Sequence, residues 1–85
     1  MFLVVWSEMA FDKMANLIRF NPERKDEFAA GLREIWQQLT HNARHAGESR
    51  EDEVRVMFAG DLSIFFSVDE ADQTVEIGDI WLRQP

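Results

Sequence analysis

A chain of 85 residues has room for one domain, 1–85, because at this size folding hides only a little over ~60% of the surface the unfolded chain exposes. Its 46% hydrophobic and 29% charged residues belong to a globular protein rather than a disordered one, the elements taken below in chain order predict the α+β class, and the lack of cysteine excludes a disulfide staple, a thiolate nucleophile and a cysteine-based zinc site. A formal net charge of −7 argues against nonspecific nucleic-acid binding, which needs concentrated Lys and Arg.

The charge is unevenly distributed. Residues 1–45 carry six acids and six bases, whereas residues 46–85 carry ten acids against Arg50, Arg55 and Arg83, so the second half holds the whole imbalance.

Phe2 to Trp6 is an apolar run without polar alternation, which predicts a first strand buried on both faces. It has no basic leader and reaches Ser7-Glu8 too soon for a signal-peptide core or a membrane span; the absence of cysteine leaves the redox compartment open, and cytoplasmic is taken as the default. Ser7 is a helix N-cap candidate with Glu8 in the first turn, and Trp6 and Phe11 stand at the two positions of a hydrophobic staple. The helix should run to about Phe20, with Phe11, Met14, Ala15, Leu17 and Ile18 on its apolar face.

Asn21-Pro22 punctuates the chain: proline disfavours helix in the residue before it and suits the first position of a new one, so Asn21 is expected to cap a second helix. Phe28, Leu32, Ile35, Trp36 and Leu39 then form an apolar stripe over three turns. The two helices are expected to make a hairpin packed on the sheet, with Trp6 and Trp36 in the core. His45 to Asp52 lacks periodicity and should be an exposed connection.

Period two follows. Val54, Val56 and Phe58 alternate with Arg55 and Met57, and Ala59-Gly60-Asp61 makes a tight turn. Leu62, Ile64, Phe66 and Val68 then alternate with Ser63, Phe65 and Ser67. After a turn at Asp69 to Gln73, Val75 and Ile77 keep the pattern until Gly78-Asp79, where the parity changes to Ile80 and Leu82; a bulge at Gly78 accounts for the switch.

Few residues offer chemistry. His41 and His45 share a helix face at i, i+4 but have no third patterned ligand, so they read as solvated histidines at a helix C-terminus and no metal is assigned. Glu51-Asp52-Glu53 and Asp69-Glu70 fall in turns and read as solubility devices rather than catalytic carboxylates. Tyrosine and a Gly-rich phosphate loop are both absent, and no cofactor is expected. Trp81, beside Arg83, fits either the edge of the core or a binding surface.

The order strand, two helices, three strands, with Val5-Trp6-Ser7-Glu8-Met9-Ala10 opening the first helix, resembles the RelE/ParE superfamily of toxin–antitoxin toxins. Val54 to Glu70 is similar to that family's central hairpin, and Val75 to Arg83 to its last strand. The resemblance implies a β-α-α-β-β-β fold with a helical hairpin on an antiparallel sheet, and an antitoxin-like protein partner. Ribonuclease members of the family use basic residues on the sheet, commonly with a C-terminal tyrosine or histidine. Here Arg55 and Arg83 match positions where arginine is frequent, Ser63 stands where another arginine often does, and no tyrosine follows.

The gyrase-targeting branch does not depend on that constellation. The resemblance therefore implies a toxin module acting by protein binding, with Arg55, Trp81 and Arg83 as candidate partner-binding residues. The alternatives are a residual ribonuclease built on Arg55 and Arg83, and a non-toxic interaction domain. The cellular target and the oligomeric state are left open.

Overall fold

The computed structural model describes residues 1–46, 48–49 and 54–83, the pair at 48–49 by its backbone alone. Strand β1 (Leu3–Trp6) leads into helix α1 (Glu8–Phe20), a 3-10 turn (Pro22–Arg24) and helix α2 (Lys25–Asn42). Four further strands follow: β2 (Glu48–Ser49), β3 (Val54–Ala59), β4 (Leu62–Asp69) and β5 (Thr74–Leu82). They form one sheet in the order β1-β5-β4-β3-β2, antiparallel throughout except that β1 runs parallel to β5. Among the described residues, no helix is long and apolar enough to cross a membrane.

The capping chemistry read from the sequence starts α1. Ser7 Oγ accepts a hydrogen bond from the Ala10 N–H at 3.1 Å, satisfying one of the orphan donors of the first turn. The buried face of α1 is centred on Ala10, with Met14, Leu17 and Ile18 packed behind it. Phe11 and Ala15 lie outside that face, and the Phe11 ring is more than half exposed.

Asn21 caps a different helix end from the one expected. Its side chain donates to the Leu17 carbonyl at 2.8 Å, closing the C-terminus of α1, and it makes no side-chain cap to the 3-10 turn that Pro22 opens. Arg24 fastens this junction. Its guanidinium reaches both Glu27 and Asp61, at 2.6 Å each, and lies over the Phe28 ring, tying the interhelix turn to the β3–β4 turn. The bond from Arg24 holds the Glu27 carboxyl below the usual carboxylate range.

Helix α2 buries Phe28, Gly31, Ile35, Leu39 and Thr40, one line at helical spacing, against β1 and β3, while α1 covers β5. Trp36 is a correction: it is 54% exposed, one residue round the helix from Ile35, and its ring meets His41 edge-on instead of the core.

The helices cover one face of the sheet. Val75, Ile77 and Ile80 from β5, Leu62, Ile64 and Phe66 from β4, and Met57 and Ala59 from β3 meet them there, almost wholly buried. Each large aliphatic or aromatic side chain so buried contributes on the order of 1.5–3 kcal/mol. By alternation, Val54, Val56 and Phe58 point to the other face of β3.

Two further expectations change, and one falls outside the described residues. Strand β1 is an edge strand rather than one buried on both faces, and Leu3 is largely exposed. The stretch after α2 is not merely an exposed connection, because Ala46 is buried and Glu48–Ser49 pairs with Arg55 and Val56 on β3. The carboxylates Glu51-Asp52-Glu53 lie outside the described residues.

Candidate functional site

The turn and the bulge between them decide what the outer face of the sheet, away from the helices, displays. Gly60 takes φ +59 at the first position of a two-residue hairpin turn, a conformation for which glycine is suited. That turn sets Phe58 opposite Ser63. On the other side of β4, the pairing moves from Phe66↔Ile77 to Phe65↔Asp79, leaving Gly78 as the extra residue expected from the parity change.

The bulge keeps Ile80 and Leu82 against the helices and turns Trp81 outward, opposite Ser63. Ser7 fixes it in place: its backbone N–H donates to the Ile77 carbonyl at 2.9 Å and its hydroxyl to the Gly78 carbonyl at 3.1 Å.

Phe58, Ser63 and Trp81 therefore form one row across three strands. Trp81 packs on Phe65 with ring centroids 4.7 Å apart and the planes tilted by 52°. The Arg83 guanidinium lies 4.7 Å from the centroid of Phe58, which remains 46% exposed. Ser63 is fully buried between these aromatic residues, and its hydroxyl has no hydrogen-bond partner. The row is an amphipathic aromatic platform with one cation at its end.

Arg55 does not join it. It pairs with Phe66, whose side chain faces the helices, and its guanidinium donates to the backbone carbonyls of Ala43, at 3.1 Å, and Arg44. These carbonyls follow the last turn of α2, where a cation complements the helix dipole. Of the three residues singled out from the sequence, Trp81 and Arg83 share a surface and Arg55 is turned to the opposite side. Phe58 and Phe65 were missed as members of the row; their alternation was visible, but their partnership with Trp81 depends on the cross-strand register.

The acids of the sheet half are partly matched by bases of the helical half. Asp79 meets Lys13 at 2.6 Å, Asp61 meets Arg24, and Glu70 meets Arg44 at 2.8 Å. Asp69, Asp72 and Glu76 make no ion pair among the described residues, and with Glu70 they line a concavity of about 680 Å³ at the far end of the outer face. No trio of His, Asp or Glu side chains with metal-binding geometry occurs among the described residues.

No protein-family model and no curated protein sequence matches this chain. Solved structures do. A chain of the chromosomal ParDE toxin–antitoxin system from P. aeruginosa superposes with a TM-score of 0.78 and 19% identity, over 99% of this chain and 98% of that one. A chain of the RelBE2 toxin–antitoxin complex from Mycobacterium tuberculosis gives a TM-score of 0.74, also at 19% identity, over 96% and 91%. With two helices on one face of a mostly antiparallel sheet, and this likeness running nearly end to end, the chain has a RelE/ParE-like fold.

Proposed function

We propose that this chain is the toxin-like member of a toxin–antitoxin pair and that it acts by binding another protein rather than by cutting RNA. The fold it shares with chains of ParDE and RelBE2 complexes supports the first part. The composition of the outer face supports the second. Cleavage of a phosphodiester calls for several preorganised cations around the developing charge, together with a group that moves a proton. Arg83 is a single cation stacked on Phe58, Arg55 is engaged with the end of α2, and the unpaired carboxylates at the far end of the face repel phosphate. An aromatic platform ending in an arginine suits a protein interface, where Trp, Phe and Arg carry much of the binding energy.

In this reading Trp81 and Arg83 touch the partner, and Arg55 holds the end of α2 behind them. A residual ribonuclease built jointly on Arg55 and Arg83 has less support, since the two side chains serve opposite faces of the sheet.

Induced expression tests the proposal. The expected result is growth arrest that is relieved by co-expressing a small protein encoded beside this chain, with the two copurifying. A stable monomer whose expression leaves growth unchanged would instead favour a non-toxic interaction domain.

A further inference from the structure

Strand β1 offers an unpaired edge. The Leu3 N–H bonds the Gln73 carbonyl at 2.8 Å and the Ser7 N–H bonds that of Ile77, so the polar backbone groups of residues 3, 5 and 7 point toward β5. Those of Val4 and Trp6 must point away, as the Phe2 N–H does when it bonds the Thr40 carbonyl at 2.9 Å. Among the described residues, neither the Val4 nor the Trp6 N–H has a hydrogen-bond partner outside the sheet.

Exposed edges are ordinarily guarded by lysine, proline or a bulge. Leu3-Val4-Val5-Trp6 has none of these, and its edge ends only where α2 meets Phe2.

The surroundings specify what such an edge would accept. Val5 borders the acidic concavity, across from Glu76 on β5, with Asp69 and Asp72 beyond. A strand added outside β1 would lie about 10 Å from β5, within reach of an arginine side chain laid across Val5. Pairing two copies of the chain through β1 would bring two such acidic concavities together, an arrangement like charges oppose.

We propose that the outer edge of β1 takes up a short extended segment of another protein, basic on its outward-facing positions. The segment adds as a sixth strand: backbone bonds at Val4 and Trp6 hold it, and contacts to Glu76 and Asp72 select its charge. This edge lies away from the row formed by Phe58, Ser63 and Trp81, and its use does not depend on that row or on toxicity.

The test titrates the full chain with a capped Val-Arg-Val-Arg-Val peptide and with its Val-Glu-Val-Glu-Val counterpart, reading affinity by calorimetry and site by amide hydrogen exchange. The arginine peptide is expected to bind, to slow exchange at Val4 and Trp6, and to weaken with added salt. Glu76→Lys, on an exposed side chain, should weaken binding by roughly tenfold, and Val4→Pro, which deletes one outward donor, should remove it. Equal binding of the glutamate peptide, indifference to Glu76→Lys, absence of protection at Val4 and Trp6, or self-association through β1 would each overturn the proposal.

Discussion

Two arginines beside apolar strand residues look alike in a sequence, yet the fold gives Arg55, near the start of β3, and Arg83, just past the end of β5, different work. Arg55 faces the helices and donates to the carbonyls of Ala43 and Arg44, whereas Arg83 lies over Phe58 on the outer face. Arg55→Met keeps the aliphatic stem but strips these carbonyls of a charged donor, so it should lower stability by about 1–2 kcal/mol in urea unfolding. Arg83→Met should cost no more than about 1 kcal/mol, the size of a partly exposed cation–π contact. Ser63 reverses the usual expectation for a polar deletion: its buried hydroxyl is unpartnered, so Ser63→Ala should be neutral or should raise stability by up to about 1 kcal/mol in the same measurement. The sequence revealed which residue types were present here, but not that Arg55 and Arg83 would part. That depends on which carbonyls lie within reach of β3 once α2 has ended.

Among the elements, β5 shows how a local signal becomes a surface. The change from Val75 and Ile77 to Ile80 and Leu82 marked a bulge at Gly78, and the bulge is what turns Trp81 outward. The two glycines that frame this surface should respond differently to a methyl group. Gly60 has φ +59, and Gly60→Ala should cost about 1 kcal/mol or more. A Cβ at Gly78 meets nothing within 4 Å and its φ is not in the left-handed region, so Gly78→Ala should leave the melting temperature unchanged or slightly higher. Thermal unfolding of both variants checks the pair.

The elements with strong periodicity were legible: the core line of α2, the β3–β4 hairpin and the Ser7 cap. Those without it were not. Two residues, Glu48–Ser49, are too few to show alternation, and the apolar run of β1 looks the same at an edge as in a sheet's centre. Trp36 misled because the buried line of α2 runs through Phe28, Gly31, Ile35 and Leu39, and Gly31 and Thr40 carry no apolar signal that would have shown it; Trp36 lies on the flank of that line, open to solvent.

Across the whole molecule, charge connects the halves of the chain. Lys13, Arg24 and Arg44, from the electrically balanced first half, reach across to Asp79, Asp61 and Glu70 in the acidic second half. The exposed pairs add little stability singly. Their larger effect is to consume helix-side bases, so the outer face retains Arg83 beside its aromatic row and an unpaired acidic group at its other end. In the proposed reading, that distribution favours a protein interface over RNA chemistry on this fold. The imbalance could be counted from the sequence, but which acids stay unpaired could not, because the pairs join residues as much as 66 positions apart.

The most direct test is to map the 5′ ends of cellular messages after induced expression, comparing the unaltered chain with Trp81→Ala and Arg83→Ala. Growth arrest with no new ribosome-dependent ends, lost in Trp81→Ala, is the result expected of a toxin-like module that binds protein. New ends that appear with the unaltered chain and vanish in Arg83→Ala would contradict it.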